Sequence, residues 1–476
     1  MLQDADALPQ LIGDYKPVDQ WQVHINQLFY RLRGDQIRRY YQTFASADHQ
    51  LAHALAADYF EKVAKREKSL GVRRQASGES TSDLPLTVME WGPGNGNLAA
   101  CFLSHLKTLD RDGLVYPRIR YVLVDWDQAM LDAAAGHPAL AAHRDRVETL
   151  CSMVDQVAGV ADGTVDRIFC NELWNDLPTK LMSRQAGEVE EEFLRPNLSE
   201  ALHAKIHDWA TFVRAFEAKD VDTLKTFPPF FDDLVWEREY RAVEWKDVPY
   251  RKTITEFLRR IDEQVVVPVN IGAHATIKEA KRLLAPHAIG FSSFDAGTAD
   301  LKVLNDPDKP CSGQFGGQQS FMVNFALAEA IVKQLEAGTV SIESQREFIG
   351  RSLGTNVLTL MDLLATHPLA GSKMERWEQD RLILKTIKAL NETYQSPYAR
   401  SIEFPIRADM PTEERDALQA LVRALKPGGV PDTVAYITEE ELTQASKDLE
   451  DVGYDPQSFL IALTAPPSPV DYFHLS

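Results

Sequence analysis

An α/β fold with a parallel sheet covered by helices on both faces is predicted, and two observations predict it. Short, mainly apolar runs at Leu86–Trp91, Ile119–Val124 and Val165–Cys170 are separated by helical patterns, the repeat that strand–helix–strand crossovers require. The first run also ends in a glycine-rich turn, Gly92-Pro93-Gly94-Asn95-Gly96, which leads into a helical pattern over Leu98–Leu109.

The remaining elements follow in chain order. From Trp21 to about Leu70 the pattern is helical, with Asp48 placed to cap a helix carrying Leu51, Leu55, Tyr59 and Val63, and Gly71 placed to close it. Arg73–Asp83, rich in serine, glycine and charge, reads as a linker, so residues 1–84 form an N-terminal helical segment. Residues 85–184 form the first part of the core. Alternation then breaks: 185–262 carries an acidic run (Glu188–Glu192), several aromatic residues and helix-like patterning, and is read as an inserted cap. The core resumes over 263–355, with a strand at Val265–Val269, a helix at Thr276–Leu284, a strand at Ile289–Phe294 and a glycine- and proline-rich loop at Asn305–Gln318. Residues 356–476 read as a helix-rich tail.

Composition narrows the function. The 476 residues correspond to about three units of ~150 residues. With 51 Lys and Arg against 70 Asp and Glu the net charge is −19, which argues against general affinity for nucleic acid or anionic membranes. Cys101, Cys151, Cys170 and Cys311 form no C-x-x-C pair and fit reduced thiols in the cytoplasm. The first residues, Met1-Leu-Gln-Asp-Ala-Asp, lack the basic and apolar regions of a signal peptide. No uncharged apolar run approaches the ~20 residues that span a bilayer.

The strongest chemical signal is Glu90-Trp91-Gly92-Pro93-Gly94-Asn95-Gly96-Asn97-Leu98. Alternate glycines let backbone pass close to a bound nucleotide and turn into the next helix. A dinucleotide fold would need G-x-G-x-x-G and an acid ~20 positions on. Here the third glycine comes one place early, and Asp125 lies about thirty positions beyond it. A ligand-free tight turn is the plain alternative. Elsewhere, His203 and His207 have H-x-x-x-H spacing, but Ala204 stands where a zinc protease needs Glu, and no metal is expected. Neither a G-x-S-x-G element nor a G-x-x-x-x-G-K-[ST] loop is present. Leu425-Lys-Pro-Gly-Gly429 reads as a helix stop, and Trp209, Phe212, Phe216, Phe227, Phe230, Phe231 and Trp236 as a satellite core or, less often, a peptide clamp.

Glu90, two places before the first glycine, and Asp125, ending strand two, make this turn resemble that of class I S-adenosylmethionine-dependent methyltransferases. Four further segments narrow the resemblance to the MidA-like methyltransferases, relatives of the mitochondrial complex I assembly methyltransferase. Asn171-Glu-Leu-Trp-Asn-Asp-Leu-Pro178 looks like the family's N-E-x-x-D-A-L-P, and Phe294-Asp-Ala-Gly297 resembles its I-D-Y-G. Phe321-Met-Val-Asn-Phe325 is similar to A-H-V-D-F, and Ser344–Gly354 to T-Q-x-x-F-L-x-x-L-G. The resemblance implies a Rossmann-like class I methyltransferase sheet and S-adenosyl-L-methionine as cofactor, bound through Glu90, Gly92, Gly94, Gly96, Asp125 and Asn171. It also implies methylation of arginine in a partner protein, with Glu172 and Asp176 as the catalytic, acceptor-side carboxylates and a homodimer left open. Departures stand beside it. The family Asp falls on Asn175, its His and Asp fall on Met322 and Asn324, and its G-D-F segment is not recognisable near Ala45–Leu55. These losses keep a second reading open, an assembly or scaffold protein that binds cofactor without transfer.

Overall fold

A computed structural model describes residues 10–34, 43–74, 85–369, 374–397, 404, 406–407, 410–430, 435–466 and 471–476. Most of the linker expected at Arg73–Asp83 lies outside these residues. The chain opens with two short strands, β1 (Gln10–Leu11) and β2 (Lys16–Pro17), then helices α1 (Val18–Arg33), α2 (Phe44–Ala47) and α3 (Gln50–Arg74). Asp48 accepts the Gln50 N–H at 2.8 Å, as an N-terminal cap should. Gly71 does not close α3, which continues to Arg74.

The core alternates as expected: β3 (Leu86–Trp91), α4 (Asn97–Leu109), β4 (Ile119–Asp125), α5 (Gln128–Ala135), β5 (Val147–Cys151) and β6 (Arg167–Asn171). An antiparallel run then intervenes: β7 (Lys180–Gln185), β8 (Glu188–Leu198), β9 (Leu234–Ala242) and β10 (Val267–Val269). The chain returns through β11 (Gly290–Thr298), the hairpin β12 (Ser312–Phe315) and β13 (Gln318–Phe321), and β14 (Val323–Asn324). It ends with β15 (Ile342–Ser344), β16 (Val357–Thr359), β17 (Tyr436–Thr438) and β18 (Asp471–Leu475), with helices between them.

The main sheet runs β5-β4-β3-β6-β11-β18-β15. Five strands, β5 to β11, are mutually parallel, and β18 lies antiparallel between β11 and β15. The α/β, Rossmann-like expectation therefore holds. All six residues of β3 are buried, the mark of a central strand covered on both faces. After β3 the chain moves outward to β4 and β5, then crosses back to β6. Strand order thus reverses between β3 and β6, where open α/β sheets hold ligands at the carboxyl ends of their strands.

Four readings need correction. The stretch 185–262 is not only helical: beside the helices Trp209–Ala218 and Arg251–Leu258 it holds β8 and β9, which pair over nine positions. Val267–Val269 joins β7 in this second sheet and not the parallel one. The first strands and α1 also belong with the cap: β1 and β2 pair with β8, and Trp21, Ile25 and Phe29 share an apolar cluster with Phe212, Phe216 and Phe231. The aromatic residues of the insertion are this satellite core. The tail is not only helical either, since its last strand completes the main sheet.

A chain of hydrogen bonds holds β18 in place. Arg167, 1 % exposed, donates to Ser292 Oγ at 2.7 Å, and Ser292 lies 2.7 Å from His474 Nε2. His474 Nδ1 is 3.1 Å from Glu343, which also takes Arg351 at 2.6 Å. Burial pushes the His474 ring down to about 4. Burial also pushes the Glu343 carboxyl up, but bonds from His474 and Arg351 outweigh it and hold the group at about 2. Both values lie below their ordinary 6.5 and 4.5, so the stability they contribute is complete above pH 6.5. It is lost on acidification, first as His474 takes a proton between pH 6.5 and 4, then as Glu343 does between 4.5 and 2. The urea midpoint should therefore fall across this range, and His474→Gln should flatten the upper part of the decline. A midpoint equally steep in the variant would show that His474 does not carry it.

Candidate active site

The turn after β3 is shaped by three glycines with positive φ: Gly92 at 68°, Gly94 at 52° and Gly96 at 79°. Their reasons differ. A Cβ on Gly96 would lie 2.3 Å from the Ala134 carbonyl oxygen, so this glycine lets the turn pack on α5. A Cβ on Gly94 would meet nothing within 4 Å, and the residue is exposed, which leaves open space beside the turn. Asn95 and Asn97 fasten the turn to the segment before α3, donating to the Ser46 carbonyl at 2.9 Å and to Ala45 and Asp48 at 2.8 and 3.0 Å. The tail supports this segment through Tyr394, whose hydroxyl donates to Asp48 at 2.7 Å. Sequence pattern could not show the contact, because backbone carbonyls make it.

Asp125 ends β4 beside the turn, half-buried, its Oδ1 taking the Asp127 N–H at 2.9 Å. Burial pushes its carboxyl up to about 6. Trp126 follows, with the Arg31 guanidinium of α1 5.5 Å from its ring centre. Asn171 ends β6 one place beyond the Trp91–Cys170 pairing. Both atoms of its amide are out of solvent and lack a hydrogen-bond partner among the described residues. A buried amide without partners is costly, and a ligand offering both a donor and an acceptor would satisfy it. Open space at Gly94, the Asp125 carboxyl and the Asn171 amide together fit a nucleoside-type cofactor. Glu90 differs from expectation. It is 3 % exposed beneath the turn, takes the Tyr121 hydroxyl at 2.6 Å, and is pushed by burial to about 8. Its carboxyl lies under the turn on Tyr121 and away from the open space beside Gly94.

A carboxyl cluster lies at the ends of β6 and β11. Glu172 follows Asn171 with φ +48°, a left-handed conformation strained for a side-chain-bearing residue, and its N–H donates to the Phe294 carbonyl at 2.7 Å. That bond brings it beside Asp295, which is fully buried. Asp295 takes the Ala296 N–H at 2.9 Å and the Asn175 N–H at 3.2 Å; burial, then the neighbouring Glu172, pushes it well above the usual carboxylate range. Asp176 receives the Tyr30 hydroxyl and the Gln318 amide, bonds that only partly offset dehydration, which pushes it up to about 7. It caps no helix. Tyr472, from the final strand, places its hydroxyl 3.5 Å from Glu172 Oε2. Neither Asp176 nor Asp295 has a lysine or arginine partner among the described residues.

The structure thus brings Glu172 and Asp176 together and adds Asp295, Tyr30, Gln318 and Tyr472, none of which the site prediction included. Asp295 left one trace in sequence, as the acid ending a strand in Phe294-Asp-Ala-Gly297. The family departures also gain meaning. Asn324 caps the helix Phe325–Gln334 by accepting the Leu327 N–H at 3.0 Å, a role Asp and Asn fill alike, and Met322 packs in a core cluster. His203 and His207 do not share a helix, since that helix spans only Glu200–His203.

The family model described as "Putative S-adenosyl-L-methionine-dependent methyltransferase" matches residues 72–295. No curated protein matches the sequence. Among solved structures, a "likely methyl transferase" from Burkholderia thailandensis bound to S-adenosyl-homocysteine is 14 % identical, covering 97 % of this chain and 87 % of its own, with TM-score 0.42. An uncharacterized protein of the same superfamily from that organism is 16 % identical over 89 % of this chain and 88 % of its own, with TM-score 0.40. An Aquifex aeolicus SAM-dependent methyltransferase is 12 % identical over 57 % and 80 %, with TM-score 0.25. Residues 72–295, just under half of the chain, thus match a family of S-adenosyl-L-methionine-dependent methyltransferases, whose cofactor is S-adenosyl-L-methionine.

Proposed function

We propose that the enzyme methylates an arginine side chain of a partner protein. One observation carries this reading: Glu172, Asp176 and Asp295 converge at the strand ends beside the glycine turn, and the last two have no cationic partner among the described residues. A guanidinium would supply the missing charge. When bound, the cofactor supplies an electrophilic methyl group. Asp125 and Asn171 hold the cofactor, while the carboxyl cluster orients the acceptor and excludes water from it. A guanidinium is a weak nucleophile because its lone pairs are delocalised, so carboxylates that align one nitrogen and stabilise the retained charge are the help it needs. The acidic run of the cap contributes less than its sequence promises: Glu191 is buried on Lys180 at 2.6 Å, and Glu192 is buried on Tyr240 and Arg238.

The test is transfer of labelled methyl groups into a lysate of a strain lacking this protein, followed by hydrolysis and amino-acid separation. Label in methylarginine is the expected result. Label confined to lysine, carboxyl groups or RNA would overturn the acceptor assignment, and tight cofactor binding without any label would favour the scaffold reading.

The cofactor half is tested separately. Asp125→Ala should weaken S-adenosylhomocysteine binding about 10- to 100-fold, the loss expected when a half-buried hydrogen-bonding carboxylate is removed. Equal affinity by calorimetry would take Asp125 out of the site.

A further inference from the structure

We propose that Gln318 determines the specificity of the acceptor site, its side-chain oxygen receiving an N–H of the incoming group; the proposal rests on the cationic-acceptor reading above. Gln318 opens β13 and has no exposed surface. Its Nε2 donates to Asp176 Oδ1 at 2.5 Å and to the Tyr30 hydroxyl oxygen at 3.1 Å, while Tyr30 gives its own proton to Asp176. These two acceptors settle which way the amide points, because the reversed amide would set its oxygen against a carboxylate oxygen. Oε1 is therefore turned away from Asp176, and it is buried without a hydrogen-bond donor among the described residues. Most buried carbonyls in folded proteins are paired, and one left unpaired beside a carboxyl cluster calls for a donor from outside the chain.

The surroundings hold Gln318 in place. Gln22, Asn26 and Tyr30 recur every fourth residue on α1 and so share one face. Gln22 bonds the Asn175 carbonyl at 3.1 Å and the Thr179 N–H at 2.8 Å. Asn26 takes the Gln319 N–H and donates to the Gln319 carbonyl, both at 2.8 Å. At the hairpin tip a Cβ on Gly317 would come within 2.4 Å of Phe231, so the turn is pressed against the cap. One helix face thus grips both the Asp176 loop and the hairpin that carries Gln318. A guanidinium offers five N–H groups in a planar fork, enough to pair with a carboxylate and still reach a neighbouring carbonyl. An acceptor lacking N–H, such as a carboxylate or thiolate, would leave Oε1 unpaired.

The experiment titrates agmatine, a small alkylguanidinium, into full-length protein saturated with S-adenosylhomocysteine, for wild type, Gln318→Met and Gln318→Glu. Gln318→Met keeps the length and removes the oxygen, and should weaken agmatine binding about tenfold or more, with S-adenosylhomocysteine affinity within about twofold. Gln318→Glu retains an oxygen at that place, its other oxygen meeting Asp176 through a shared proton, and should hold agmatine within about threefold of wild type. Wild-type binding with an unaffected Met variant would overturn the Gln318 assignment alone. Equal losses in both variants would do the same, since they would report packing and not the oxygen. A wild-type protein that ignores agmatine would overturn the guanidinium reading and this assignment with it.

Discussion

Glu172→Gln should lower kcat for methyl transfer about 100-fold while leaving S-adenosylhomocysteine affinity nearly unchanged. The amide keeps the shape of the side chain and removes only the charge that would orient and stabilise a cationic acceptor. A second variant separates function from folding. Glu172 occupies φ +48°, where glycine is unstrained, so Glu172→Gly should melt no lower than wild type and yet be as impaired as the glutamine variant. The readout is initial rate of label incorporation beside a melting curve. Full activity in the glutamine variant would move the acceptor site away from Glu172, and Asp176 would be tested next. The same cluster sets a pH dependence. With Asp176 held near 7 by burial, kcat/KM for the acceptor should fall as pH drops through 7, because a cation finds the site only after that proton has left.

Gly94→Val should abolish cofactor binding in a protein that still folds. The new side chain meets no protein atom within 4 Å at its Cβ, so its bulk occupies the open space where a ligand would approach the turn, at a modest backbone cost from φ +52°. Gly96→Ala is the contrasting case. Its Cβ would stand 2.3 Å from a backbone oxygen of α5 that cannot swing aside, so this smaller substitution should lower the melting temperature markedly. Calorimetry with S-adenosylhomocysteine and thermal unfolding of both variants distinguish the roles. A Gly94→Val protein that binds normally would place the cofactor elsewhere.

The residues proposed to hold the cofactor could be picked out in sequence because they are local. Gly92, Gly94 and Gly96 lie within five residues, and Asp125 ends the next strand, so spacing alone relates them. Glu90 shows the limit of such reading: its type and position were visible, but only the structure shows it buried on the Tyr121 hydroxyl. Of the carboxyl cluster, the sequence singled out Glu172 and Asp176, which share one loop. Tyr30, Asp295, Gln318 and Tyr472 come from four other elements, and no periodicity links them.

By itself, then, the sequence determined the alternation that builds the parallel sheet, the glycine turn after its first strand, and the acids ending two of its strands. These are set by residue type over short distances, through apolar runs, φ freedom and the polarity of strand ends. Only the tertiary structure decided that Asp471–Leu475 would enter the main sheet, that α1 would join the cap and grip the Asp176 loop, and that three carboxyls would meet. Each of those outcomes depends on packing and hydrogen bonds between residues more than a hundred positions apart, whose value appears only once the sheets have formed.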